Sequence, residues 1–195
     1  GSIGSLLYTK DEKGIYVPQK FDMAIMYYKT GIEWEDGSSA NNLAWMYENG
    51  EGVDQDYDLA IEYYLKAIDL GNAAAAGNMG YLYRYGEGVE QDYAKAIEYY
   101  ELGVEMGDDA SANSLGYLYD VGEGVEQDIE KAIGYYEIGI ERGYGASAGN
   151  IAYLYRYGIG VEQDIEKAIE YYEIGADLGH GIAADNLGYM FDLGE

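Results

Sequence analysis

Three rows of side chains recur at intervals of 36 residues, and their types set what the chain can recognise. The first row is aromatic: Trp45, Tyr81, Tyr117, Tyr153 and Tyr189. Beside it run Asn42, Asn78, Ser114, Asn150 and Asn186, and on the other flank Glu48, Arg84, Asp120, Arg156 and Asp192. An amphipathic ring offers a large contact area for little loss of side-chain entropy. A carboxamide carries both a donor and an acceptor, which suits the backbone of an extended chain. The third row alternates in sign, so its members either bridge neighbouring helices or present anchors to a ligand. Gly77, Arg84 and Tyr85 recur two repeats later as Gly149, Arg156 and Tyr157. This is the chemistry of recognition, with no bond made or broken.

Residues for covalent or metal catalysis are sparse. With no cysteine and one histidine, His180, neither a transition-metal cluster nor an acyl-transfer triad can be assembled. His180 stands where related segments carry Asn72, Asp108 and Tyr144, and reads as a helix-start residue. Carboxylates are plentiful, yet they sit at repeated places and read as structural. The loop Gly86-Glu87-Gly88 and its copies resemble phosphate cradles only in their glycines; Glu87, Glu90 and Asp92 would repel an anion. The same oxygens lack the Asp-x-Asp-x-Asp-Gly order of a dedicated calcium site. The expectation is a protein without catalytic residues, cofactor or metal, and not an enzyme.

The elements that must position the rows follow from the repeat itself. Tyr85-Gly86-Glu87-Gly88-Val89-Glu90-Gln91-Asp92 returns, little changed, at 49–56, 121–128 and 157–164. A period of this size marks a solenoid of stacked supersecondary units. Helix B of each unit starts after Asp56, Asp92, Asp128 or Asp164, whose carboxylate accepts from free N–H groups of the first turn. The expected B helices are 18–34, 56–70, 92–106, 128–142 and 164–178, with Pro18 opening the first, where its missing N–H does little harm. Gly71, Gly107, Gly143 and Gly179 are the expected left-handed stops. Helix A is expected over 38–49, 73–85, 110–121, 146–157 and 182–193.

In the second A helix, Ala76, Met79, Gly80 and Tyr83 fall on one stripe, which turns Gly77, Tyr81, Arg84 and Tyr85 to the opposite side. The small residue of that stripe (Ala44, Gly80, Gly116, Ala152, Gly188) leaves no room for a side chain. Glycine inside a helix costs about 1 kcal/mol against alanine, so close packing must compensate. Residues 1–13 read as an irregular segment, with Ile3 to Tyr8 a helix that lost its register, and 14–195 as about five units, the last incomplete.

Leu115-Gly116-x-x-Tyr119-x-x-Gly122-x-Gly124-Val125-x-x-Asp128-x-x-Lys131-Ala132-x-x-Tyr135-Tyr136, closed by Gly143, resembles the Sel-one-like repeat, a 36-residue relative of the tetratricopeptide repeat. The match covers about 14–195. Departures are modest: the Lys before Ala is Met23 or Leu59 in the first two units, and a late-helix Ala is Gly103, Gly139 or Gly175. The cysteine pairs of some secreted relatives are absent. The resemblance implies an all-α fold, a right-handed α-solenoid superhelix of antiparallel helix pairs, and a role as an adaptor in protein complexes.

The resemblance also implies that the three rows line a concave groove, where asparagines hold the backbone of a bound peptide. The candidate partner-binding residues are then Asn42, Trp45, Glu48, Asn78, Tyr81, Arg84, Tyr85, Tyr117, Asp120, Asn150, Tyr153, Arg156, Tyr157, Asn186 and Tyr189. A peptide with acidic or polar anchors about six residues apart fits the span from Arg84 to Arg156. The competing reading of each row is structural: rings as helix packing, amides as helix-to-helix hydrogen bonds, charges as interhelical ion pairs.

The net charge of −26 argues against nucleic acid and anionic membranes as partners. The acid is spread through every repeat, as in Glu98, Glu101 and Glu105, which marks a solvated outer face. No apolar run approaches the roughly 18 residues that span a bilayer. The lack of cysteine and of a signal-peptide pattern favours the cytoplasm; Gly1-Ser2 reads as an expression scar, so a trimmed leader leaves a secreted or periplasmic placement open. Met190, Phe191 and Leu193 leave the last helix without a polar outer face, which predicts a weak end-to-end homodimer through 182–193. The sequence thus reads as a non-catalytic scaffold that grips a protein or peptide segment. A carbohydrate or polar small-ligand module stays open, since rings beside asparagines and carboxylates also suit sugars. So does an engineered repeat scaffold, given how alike 122–157 and 158–193 are.

Overall fold

Aspartate caps and left-handed glycine stops divide the chain close to where the repeat predicts. The computed structural model describes residues 8–10, 16–18 and 21–194. The B helices are α1 (Phe21–Glu33), α3 (Tyr57–Asp69), α5 (Tyr93–Met106), α7 (Ile129–Glu141) and α9 (Ile165–Asp177). The A helices between them are α2 (Gly37–Asn49), α4 (Ala73–Tyr85), α6 (Asp109–Val121), α8 (Gly145–Tyr157) and α10 (Gly181–Leu193). Asp56, Asp92, Asp128 and Asp164 accept from the backbone N–H of Leu59, Lys95, Lys131 and Lys167, as expected of N-caps worth ~1 kcal/mol each. Gly71, Gly107, Gly143 and Gly179 take φ of 84°, 103°, 94° and 82°.

The N-terminal expectation needs correction. Tyr8–Lys10 (β1) and Tyr16–Pro18 (β2) pair antiparallel, with Tyr8 opposite Pro18. Tyr8 is therefore extended and not the end of a helix; residues 3–7 of that proposed helix lie outside the described residues. Pro18 closes a strand, and the first helix waits until Phe21. Tyr16 and Val17 favour extended backbone, and the residue before a proline is biased away from the helix. A two-stranded ribbon has a free edge that tolerates the missing donor.

Packing explains the small residue inside each A helix. A Cβ added to Gly80 would sit 2.6 Å from Cδ1 of Tyr100, and one on Gly116 2.5 Å from Cδ1 of Tyr136. The close approach is thus a buried tyrosine ring from helix B laid on the backbone of helix A. Gly188 is the exception and faces open space. Tyr64, Tyr100, Tyr136 and Tyr172 are all buried, surrounded by Ala44, Ala60, Met79, Leu82 and their counterparts.

Antiparallel pairs stack into a right-handed α-solenoid with a repeat of about 36 residues. Besides meeting its chain neighbours, α4 lies against α6, α6 against α8 and α8 against α10. No comparable contact joins successive B helices among the described residues. Helices that crowd one another lie on the inside of a curve, so the A helices line the concave side.

Candidate functional site

The period of helix A turns one row of rings away from the core, and the structure leaves that row open. Trp45, Tyr81, Tyr117, Tyr153 and Tyr189 are 40% to 55% exposed, which sets aside the reading of them as sealed packing. Tyr81 tilts against Tyr85 with ring centroids 4.5 Å apart, and Tyr153 against Tyr157 at 4.7 Å, the pairing expected of helical neighbours four residues apart. A cleft of about 210 Å³ opens between α4 and α6, lined among others by Gly77, Asn78, Tyr81, Tyr100, Ser111 and Ser114.

The charged row is organised differently from either expectation. Glu48, Arg84, Asp120 and Arg156 each face the buried tyrosine 16 residues on, in the next helix. The Tyr64 hydroxyl donates to Glu48 Oε2, and the Tyr136 hydroxyl to Asp120 Oδ2 at 3.2 Å. Where the row carries arginine the roles invert, and Arg84 and Arg156 favour the ionised forms of Tyr100 and Tyr172. The alternating sign is therefore an alternation of acceptor and donor about one buried hydroxyl. Burial still dominates and pushes Tyr100 up to about 12. Burial, reinforced by the adjacent carboxylate, holds Tyr64 and Tyr136 well above the usual tyrosine range. Burial likewise raises Glu48 and Asp120.

Arg84 is buried, and its Nε and Nη2 reach Oε1 and Oε2 of Glu123 at 3.1 and 2.6 Å, a two-pronged pair. Its Cζ lies 4.7 Å from the Tyr117 ring centroid and 4.9 Å from that of Tyr85. The expectation that Arg84 anchors an acidic peptide is corrected: its guanidinium is committed inside the fold. Burial works against that charge, and Glu123 outweighs it. Arg156 is buried as well, with Cζ 5.4 Å from the Tyr157 ring and 5.5 Å from that of Tyr189. In a chain of net charge −26, a guanidinium readily finds a carboxylate of its own.

The amide row is partly tied up. Asn78 Nδ2 donates to Asn41 Oδ1 at 3.0 Å, and Asn150 Nδ2 to Asn113 Oδ1 at 3.0 Å. The bonds run from helix to helix, but one position off the row. Ser114 turns back to the Ala110 carbonyl at 2.9 Å. Asn42 remains exposed and Asn186 half-buried.

Several residues of the recurring motif have roles that the sequence alone did not assign. Gln55, Gln91, Gln127 and Gln163 donate from Nε2 to the carbonyls of Glu48, Arg84, Asp120 and Arg156 at 2.6 to 2.8 Å, closing the A helices. The second glycine of the loop makes room for the preceding repeat: a Cβ on Gly88 or Gly124 would come within 2.3 Å of Tyr57 or Tyr93. Away from the open row, Tyr47–Tyr63, Tyr83–Tyr99, Tyr119–Tyr135 and Tyr155–Tyr171 stack at 5.5 to 6.0 Å. Lys131 Nζ sits 4.0 Å from the Tyr119 centroid. The recurrence of Tyr119 as Tyr47, Tyr83 and Tyr155, and of Tyr135 as Tyr63, Tyr99 and Tyr171, was the available signal.

His180 does precede α10, but its side chain makes no cap bond and its Nδ1 is buried without a partner among the described residues. On α10, Met190 is buried, which corrects its place on the proposed end face, while Ile182, Phe191 and Leu193 are exposed. Among the described residues, no group of three or more His, Cys, Asp or Glu is placed to hold a metal ion. No described helix is long and apolar enough to cross a membrane.

Comparison with known proteins bears on the repeat. The Sel1 repeat model matches residues 11–33, 37–72, 73–108, 109–144 and 146–180. A Sel1 repeat protein from Oxalobacter formigenes is 33% identical, with a TM-score of 0.76 over 83% of this chain and 66% of that one. A protective antigen present in uropathogenic Escherichia coli strains, displaying an SLR fold, is 32% identical, with a TM-score of 0.76 over 91% of this chain and 38% of that one. An immunity protein from Pseudomonas aeruginosa is 25% identical, with a TM-score of 0.60 over 82% and 59%. The chain thus spans less than two thirds of the length of these relatives. A search of curated proteins returns no match. The matched units meet where the A helices begin and together take in most of the sequence, and on that ground the chain belongs to the Sel1 repeat family.

Proposed function

We propose that the chain is a non-catalytic interaction scaffold whose A-helix face grips an extended segment of a partner protein. Sel1 repeat proteins generally serve as scaffolds for protein interaction. The observation that carries the finer reading is the open aromatic row, one half-exposed ring per repeat on the inside of the curve. Neighbouring helices lie about 8–10 Å apart, close to the ~9 Å turn of a polyproline-II segment, so a peptide extended in that way brings a side chain to each ring every third residue. Asn42 and the free valences of the other amides supply polar contacts beside the rings. Arg84 takes no part as an anchor, being bound to Glu123.

Selection from a displayed library of random peptides, with a glycan array in parallel, tests the proposal. Peptides should be captured, and the exposed-site double variant Tyr117→Ser/Tyr153→Ser should weaken them at least about tenfold while keeping the helical content. Binding that ignores both substitutions, or capture of glycans in place of peptides, overturns it.

A further inference from the structure

Arg84, Glu123 and Tyr117 show what one repeat junction builds beside its exposed ring. The guanidinium is forked by the carboxylate at 2.6 and 3.1 Å and lies 4.7 Å from the ring centroid. One repeat earlier, Tyr81 stands at the place of Tyr117 and Glu87 at that of Glu123, but Glu48 replaces the arginine. Both carboxylates there are oriented by tyrosines of α3: the Tyr57 hydroxyl donates to Glu87 Oε2 at 3.4 Å, and that of Tyr64 to Glu48 Oε2. Glu87 is close enough to add to the effect of burial in raising Glu48. Tyr57 and Tyr81 each feel both carboxylates. At the following junction Asp120 has Ile159 at the corresponding loop place, so no second carboxylate stands there. Two like charges held together in a half-buried site favour the arrival of a cation. An exposed ring beside them favours a flat, weakly hydrated one.

We propose that Glu48 and Glu87, beside the ring of Tyr81, form a seat for an arginine side chain of the partner segment. The incoming guanidinium reproduces the contacts that Arg84 makes with Glu123 and Tyr117. The proposal rests on the A-helix face being the docking surface, and it fixes the register of the segment on that surface. The segment's basic residue lies at Tyr81, and its neighbours lie over the flanking rings of the row. It also reverses the polarity that the arginines suggest from sequence, since the groove selects a basic segment and not an acidic one.

Nuclear magnetic resonance titration of the whole chain with N-acetyl-arginine methylamide, and with its neutral isostere N-acetyl-citrulline methylamide, tests the seat. The arginine probe should shift the amide signals of Tyr57, Tyr81 and Glu87 saturably, with the citrulline probe at least about tenfold weaker. Glu87→Gln should remove the preference for arginine, and Glu48→Arg, which supplies a resident guanidinium, should abolish the response. Equal shifts from the two probes overturn the seat, as do arginine shifts scattered over the outer helices and unchanged in Glu87→Gln. Peptides that bind the tyrosine row without favouring arginine overturn the seat and leave the groove standing. Saturable arginine binding in a chain that captures no peptide supports the seat and overturns the groove.

Discussion

Tyrosine occupies two rows of this solenoid with opposite fates. On the B helices Tyr64, Tyr100, Tyr136 and Tyr172 are buried; on the A helices Tyr81, Tyr117, Tyr153 and Tyr189 stay about half exposed. The buried rings lie on glycine or alanine of the neighbouring helix, and a charged side chain meets each hydroxyl. Among the described residues the exposed rings lie on no such glycine, and they stay open to solvent even where Glu87 stands beside Tyr81. One side chain therefore holds the repeat together where backbone gives way and charge satisfies its polar end. It becomes contact surface where no backbone gap receives the ring.

The most forceful way to break this comparison is to truncate one ring of each row. Tyr136→Ala should lose about 3–5 kcal/mol in chemical denaturation, through the cavity it leaves and the donor it takes from Asp120. Tyr153→Ala should change stability by no more than about 0.5 kcal/mol. Equal losses would end the division into structural and contact rows. Next in size is Arg84→Ala, which should cost about 2–3 kcal/mol by stranding Glu123 in a partly buried site. Adding Glu123→Ala should recover part of that loss, and a double-mutant cycle reads the coupling. If the two losses simply add, the pair contributes nothing.

A smaller effect should appear in the pH dependence. Burial, with Glu87 beside it, raises Glu48 above its ordinary 4.5, so in the window just above 4.5 the folded protein keeps a proton that the unfolded chain has released. Stability contributed by that group therefore falls as pH rises through the window. Glu123 is the opposite case: the Arg84 hydrogen bond lowers it, so its contribution is present above 4.5 and is lost as pH falls through the lowered value. Glu48→Gln should flatten the slope above 4.5, and Arg84→Ala the slope below, in melting curves taken at successive pH values. The smallest expected effect is self-association through Ile182, Phe191 and Leu193 on α10. Sedimentation should show a weak, concentration-dependent dimer that Phe191→Glu removes, and a strictly monomeric wild type would sink it.

Much of this architecture was legible in the chain because it depends on interactions within a turn or two. Asp92 caps α5 through the N–H of Lys95, three residues on, and Gly107 ends the same helix in a left-handed conformation. Such signals need no knowledge of the rest of the fold. A period of 36 then places equivalent residues on equivalent faces, which is why the exposed row could be read off the alternation around Met79 and Gly80. The strand pair at the N-terminus escaped because β1 precedes the first unit and β2 departs from its copies, with Tyr16 and Lys20 where the next unit carries Gly52 and Asp56.

What tertiary structure alone decided is who meets whom. Arg84 finds Glu123, 39 residues away, and not the charges 36 residues to either side; Asn78 bonds Asn41, 37 residues back. Those small offsets come from the angle at which successive helix pairs stack. They depend equally on the ring of Tyr100 laid across Gly80. A one-dimensional period states which residues are equivalent, but the lateral shift between layers chooses their partners, and that shift exists only once the layers have packed.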